Sequence, residues 1–294
     1  MTDTLNTITN QPRARRRGAR KPSALGRAIN ALPQPAAIAL AVAVFLAVWQ
    51  LIVMSGAVPR IILPGPWDVA QQVGIVTMQF FQPNGFLLGQ LWVTVQEILI
   101  GFLCAVVAGF LIGLWIGLSE FGRKAVLPLF VMLEATPKIA FIPVFIAWFG
   151  FGMSSKIVMA AFLSLFPVII GTVSGLNATS VEERKLFASF NASPWMTFWK
   201  LRLHRALPFI FAGLKIAVVS SVTGAVAAEF IGGGTGFGEQ IRVAATRIDI
   251  DRVFAMILFL SLLGLVLFMI VAWLQRAVTY WDTESTPRRA RSKY

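Results

Sequence analysis

The sequence predicts an all-α integral membrane protein with six transmembrane helices and both termini in the cytoplasm, on three observations. Hydrophobic residues make up 57% of the chain and mean hydropathy is +0.75, whereas soluble domains sit nearer half and lack long apolar runs. Apolar stretches of the roughly 20 residues that a bilayer core requires recur six times between polar breaks. Lys and Arg sort by face: 19 fall on the side of the termini, 5 on the other (Arg60, Lys156, Arg242, Arg247, Arg252) and 2 within spans (Lys138, Lys215). The positive-inside rule puts the basic side in the cytoplasm.

Topology thus accounts for the net charge of +13, from 26 Lys+Arg against 13 Asp+Glu, without nucleic acid. A single cysteine, Cys104, and a single histidine, His204, cannot build a disulfide within the chain or a multi-ligand metal site. No metal, cofactor or catalytic residue is expected.

Residues 1–34 read as a disordered basic tail (Arg13, Arg15, Arg16, Arg17, Arg20, Lys21, Arg27) that touches anionic lipid. A nucleic-acid arm is the sharper reading of such a run, but beside a membrane span it is far more often a topology signal. Residues 35–277 form the six-helix domain and 278–294 a second basic tail. The first span runs from Pro35 to Met54, too long for a signal peptide's apolar core. Leu63 to Asp68 is a turn, and the helix after it presents Trp67, Val69, Val73 and Val76 on one face, which suits a helix lying flat on the outer interface.

The second span, about Leu91 to Leu118, carries Gly101, Ala105, Gly109, Gly113 and Gly117, a small-residue ridge that admits another helix closely. The third, about Ala125 to Phe149, is interrupted by Pro137 and Pro143. Carbonyls freed by proline must face protein or a watery cavity, so the segment points to a pathway. Glu134 and Lys138 stand four apart there, and an intramembrane charge pair is either functional or a lock between helices. The fourth span covers about Ile157 to Leu176, the fifth about Phe209 to Ile231 with Lys215 and Glu229, and the sixth ends near Leu274.

After the fifth span, Gly232 to Gly238 tempts a phosphate-loop reading. No Lys-Ser/Thr follows the last glycine and the G-x-G-x-x-G spacing fails, so a flexible outer turn is expected. Residues 239–252 mix both charge signs, Tyr280 and Trp281 suit an interfacial belt, and the chain ends on Arg288, Arg289, Arg291 and Lys293.

Between the fourth and fifth spans, residues 179–207 form a polar island. Ser180 and Glu183 make an S-x-x-E capping box that starts a short helix at Val181. Ser193-Pro194 is a second start signal, with a break at Phe190-Asn191-Ala192 between them. Leu186, Phe187 and Phe190 share one side of the first helix against Glu182, Glu183, Arg184 and Lys185, and such an apolar edge on a charged body seeks a protein partner.

The stretch from Phe190 to Ala217 resembles the cytoplasmic loop of permease subunits of bacterial ABC importers, whose pattern is E-A-A, three residues, Gly, and later Leu-Pro. Here Ala192-Ser193 and Leu207-Pro208 match, Lys185-Leu186-Phe187 stands for E-A-A, Asn191 for the Gly and His204 for a Pro. Asn tolerates the left-handed turn that the Gly provides. Thr136 to Gly150 looks like the P-K-x-A-x-x-P-L-F-x-x-W-F-G segment of the nitrate/sulfonate/taurine and thiamine-pyrimidine-precursor branch. Leu63 to Val69, Phe166-Pro167 and Glu229 to Phe237 fit the same branch, so the resemblance spans about residues 60 to 275.

The resemblance implies a type I ABC importer permease fold in the bacterial plasma membrane, working as a homodimer with two ATP-binding subunits and a substrate-binding protein. It puts Ser180, Glu183, Leu186, Phe187, Phe190, Asn191, Ala192 and Ser193 in contact with the ATPase. Glu134, Pro137, Lys138, Phe141 and Phe145 would lie on the translocation path, with Lys215 and Glu229 as gate or substrate residues. The wording Glu229 to Gly232 and Gln96 to Leu99 is closer to the thiamine-pyrimidine-precursor and riboflavin-type subgroup. A nitrate, sulfonate or taurine importer is the alternative. The chain carries no Walker A motif, so ATP hydrolysis belongs to another subunit. An ion-coupled transporter would show paired broken helices, and a simple anchor would need no charge or proline in its third span.

Overall fold

The computed structural model describes residues 33–82 and 85–281. The basic stretches expected at 1–32 and 282–294 lie outside the described residues. Every regular element among the described residues is helical, and the chain divides into two units, residues 1–57 and 58–294.

In the first unit, α1 (Gln34–Met54) begins with Pro35 in its first turn and carries no charged residue. Its mean hydropathy of 2.6 matches the expected first span.

The second unit holds α2 (Pro66–Phe80), α3 (Phe86–Leu118), α4 (Leu127–Glu134), α5 (Ile142–Phe149), α6 (Met153–Asn177), α7 (Val181–Ser189), α8 (Pro194–Thr197), α9 (Leu203–Gly232), α10 (Phe237–Thr246) and α11 (Ile250–Val278). Its centre is α6, packed on α3 along one side and α9 along the other. Small residues set both contacts. A Cβ placed on Gly101, Gly109 or Gly113 would lie 2.6, 2.9 or 2.7 Å from the Cβ of Ala160, Val168 or Thr172, so the expected ridge on α3 is the seam with α6. A second seam joins α6 to α9, where a Cβ on Gly213 would stand 2.5 Å from the Pro167 carbonyl and one on Gly224 2.9 Å from Ala160 Cα. Hydroxyls tie the helices as well: Ser221 donates to the Ile98 carbonyl and Ser164 to that of Ala217, each at 2.8 Å.

Several expected boundaries change. Among the described residues, five helices are long and apolar enough to cross a membrane, or six if one bent pair counts as a span. That pair replaces the third span: Gly122–Glu134 and Lys138–Phe149 meet at 88°. The break falls at Pro137, whereas Pro143 sits in the first turn of α5, where its missing N–H breaks nothing. The helix that holds the expected fifth span starts well before Phe209: a π-helical turn, Phe198–Arg202, joins α8 to α9, and Pro194–Gly232 is one continuous 39-residue helical stretch with Pro208 inside it.

The helix α2 packs against α11, with Val69 and Val76 buried and Val73 partly so, while Trp67 is exposed away from that face. The amphipathic α10 fills part of what read only as a mixed-charge segment, burying Phe237, Ile241 and Ala244.

Candidate functional site

Three groups of residues stand out, and the polar island is the first. The capping box forms as the S-x-x-E spacing requires: the Glu183 N–H donates to Ser180 Oγ at 3.1 Å and the Ser180 N–H to Glu183 Oε2 at 3.0 Å. That backbone N–H, helped by Arg205, holds the Glu183 carboxyl below the usual carboxylate range. Asn191 takes a left-handed turn with φ 54°. Ser193 then caps the next helix, accepting from the Met196 N–H at 3.2 Å. Between these fixed points Leu186 and Phe190 are exposed, Phe190 to 75%, with Phe187 half-buried. Capping thus fixes both ends of an apolar edge that is left exposed.

The second group surrounds the 88° bend. Glu134 closes α4 and Lys138 opens the 3₁₀ turn Lys138–Phe141; the two pair across the break at 2.5 Å. Lys138 Nζ also lies 4.9 Å from the centre of the Phe166 ring, a cation–π distance. Phe141 and Phe145 each pack on Phe162 at 5.4 Å between centroids, and Phe162 on Phe166 at the same distance. The expected path residues are thus brought together as one charged pair beside an aromatic ladder. Glu134 keeps 38% of its side chain exposed and Lys138 15%, so the pair is open at one end.

The third group was only partly legible. Lys156, counted among the outer-side charges, is buried in the first turn of α6. Its Nζ stands 3.6 Å from Glu97 on α3 and donates to the Thr235 carbonyl at 2.5 Å. Glu229 on α9, equally buried, accepts from Thr94 Oγ1 and from the Gly238 N–H, both at 2.5 Å. The Phe237 N–H donates to Thr94 and the Gly236 N–H to Gln90 Oε1, at 2.7 and 2.6 Å.

These bonds take up free amide groups at the start of α10 and pin residues 235–238 to three helices. The expected flexible turn is therefore a fastened one. Gly236 has φ 111°, and a Cβ there would collide with the Glu229 carboxylate, so the close fit requires glycine. Glu229 thus serves the loop, and Lys215 lies apart from it, half-buried with Nζ 6.0 Å from the Phe268 ring centre.

Sequence reasoning quoted Glu97 only within a motif and missed Thr94, Gln90 and Lys156 as partners. A glutamate in mid-span and a lysine at a span's edge were the available signals; their convergence on one loop depends on packing between α3, α6 and α9.

The family described as binding-protein-dependent transport system inner membrane component matches residues 105–280. A probable ABC transporter permease protein of Haemophilus influenzae is 35% identical over 235 residues, covering 80% of this chain and 93% of that protein. The formylaminopyrimidine transport permease protein ThiX of Halalkalibacterium halodurans is 32% identical over 216 residues, 74% of this chain and 86% of the relative. A putative aliphatic sulfonates transport permease protein, SsuC of Bacillus subtilis, is 30% identical over 239 residues, 81% and 85%. Among solved structures, the MetNI methionine ABC transporter in inward-facing conformations superposes with a TM-score of 0.55 at 18% identity, over 67% of this chain and 99% of that one; the likeness shows a shared fold.

Proposed function

The chain belongs to the binding-protein-dependent transport system inner membrane component family, as a permease subunit of an ABC importer, and on that premise we propose how its site works. Two copies, each with six spans and cytoplasmic termini, enclose a path for a small solute released by the binding protein. Two ATP-binding subunits dock on the loop 179–207. Leu186, Phe187 and Phe190 seat in the ATPase, and Ser180, Glu183, Asn191, Ala192 and Ser193 hold them at a fixed angle. Glu134, Lys138, Phe141 and Phe145 line the path where Pro137 bends the backbone. Lys215 and the loop latched by Glu229 act as gates.

The observation that supports this most is the rigidly capped yet exposed edge at Leu186 and Phe190. Apolar side chains exposed side by side on a charged helix suit a protein-interaction site better than a solvated face. The test is purification of the tagged chain from its host in mild detergent, followed by an ATPase assay and identification of co-purifying proteins. Recovery of an ATP-binding subunit in equal amount supports the reading; recovery of the chain alone, stable and without ATPase activity, counts against it. Phe190→Ala is expected to leave ATP hydrolysis running while uptake falls.

For the solute, a pyrimidine of the kind named for the relative at 32% identity is the first choice, with a riboflavin-like compound beside it. The sulfonate relative at 30% and the ring-seated Lys138 favour a simple anion as the second reading. Calorimetric titration of the co-purified binding protein with pyrimidines, flavins, nitrate and sulfonates separates the two.

A further inference from the structure

Three guanidiniums gather where α3 and α6 end. Arg123 donates to Asn177 Oδ1 at 3.3 Å, Arg184 to the Thr179 carbonyl at 3.1 Å and Arg202 to the Gly117 carbonyl at 3.4 Å. Helix C-termini supply partial negative charge, but among the described residues no carboxylate pairs with any of the three. Glu120 pairs with Lys124 at 2.7 Å and Glu183 with Arg205. Arg184 and Arg123 both repel Arg202, whose Nε is buried with no hydrogen-bond partner among the described residues.

Beside this charge lies a cavity of about 600 Å³, whose lining combines Arg184 and Arg202 with Leu114, Leu118, Trp195 and Phe198. Trp195, which lines the cavity, is exposed, and its ring lies 5.5 Å from that of the exposed Trp199; tryptophan favours the depth of lipid headgroups.

We infer that this cavity binds an anionic phospholipid, its phosphate on Arg184 and Arg202 with Arg123 as a supporting charge, and its acyl chain along Leu114 and Leu118. A phosphate supplies the missing negative charge and accepts from guanidinium N–H groups. The apolar lining favours a lipid over a free anion. An acidic segment of the ATPase is disfavoured by the geometry of α7: Arg184 and Ala188 line the cavity, while Leu186 and Phe190, two positions on, project from the other side of the helix. The lipid therefore sits between the membrane domain and the docking loop. Only the assignment to the cytoplasmic leaflet rests on the proposed orientation.

The test is native mass spectrometry of the full chain in mild detergent, titrated with phosphatidylglycerol or phosphatidylcholine. One phosphatidylglycerol should be retained in preference to phosphatidylcholine. Arg184→Gln should weaken retention about fivefold, the worth of one basic residue at an anionic surface. Leu118→Trp, which leaves the charges in place and fills the acyl groove, should weaken it too. Lys185→Gln and Lys200→Gln, which remove nearby charge outside the cavity, should not.

Equal retention of both lipids, displacement by inorganic phosphate, equal loss in the two lysine variants, or unchanged retention in Leu118→Trp would each overturn the inference. Co-recovery of an ATP-binding subunit is read separately, so failure of the lipid site and failure of the proposed function are distinguishable.

Discussion

Asn191 shows how one side chain's backbone tolerance fixes a surface. Its φ of 54° lies in the region that costs most L-residues roughly 1–2 kcal/mol, and the turn aims the edge carrying Leu186 and Phe190. Asn191→Gly should keep coupled uptake close to wild type. Asn191→Val should reduce it severalfold while membrane insertion stays normal, checked by transport and ATPase assays on the same preparation.

Glu183 adds a pH dependence. Its folded carboxyl titrates below the ordinary value, chiefly through the Ser180 N–H. The capping box is therefore fully in force above about pH 4.3 and is lost as pH falls through the depressed folded value. The protection of amides 181–184, taken relative to their intrinsic exchange rate at each pH, should fall in that acid window, and Glu183→Gln should flatten the fall.

Lys156 belongs to the same scale, and its pairing with Glu97 was not legible because position alone does not say that Glu97 will face it. Lys156→Met strands Glu97 in a buried site, and loss of one partner of a buried pair costs about 3–5 kcal/mol. Thermal unfolding in detergent should show that loss, and adding Glu97→Gln should recover part of it.

At the scale of elements, what was legible was what repeats along one helix. The α3 ridge is readable because Gly101, Ala105, Gly109, Gly113 and Gly117 recur every four residues, and each is buried. The α6–α9 seam was missed, since Gly171, Gly175, Gly213 and Gly224 are divided between two helices. Gly109→Leu should therefore separate α3 from α6 and cost on the order of 1–3 kcal/mol as overpacking, measured as a lower midpoint of unfolding, whereas Gly89→Leu, with open space at its Cβ, should be near neutral. The 88° bend was half legible. Pro137 announced a break, but only the packing of Phe141, Phe145 and Phe162 decides that the chain turns sharply there. The capped island was almost fully legible, because capping is a local chemistry of three or four residues.

Across the whole molecule, the docking edge and the pinned glycine loop are the two ends of one object. The helical stretch from Pro194 to Gly232 is continuous over 39 residues, about 58 Å at 1.5 Å per residue. One end abuts the Asn191 turn, and the other runs into the loop that Glu229, Thr94, Gln90 and Lys156 fasten to α3, α6 and α9. A rod of that length is a lever arm. Tilted by about 5° at its base, it carries its far tip by about 5 Å, roughly one helical turn. Under the proposed function, a small closing stroke at the docking loop would be carried along this rod to the fastened loop at its far end, moving the helices latched there with it.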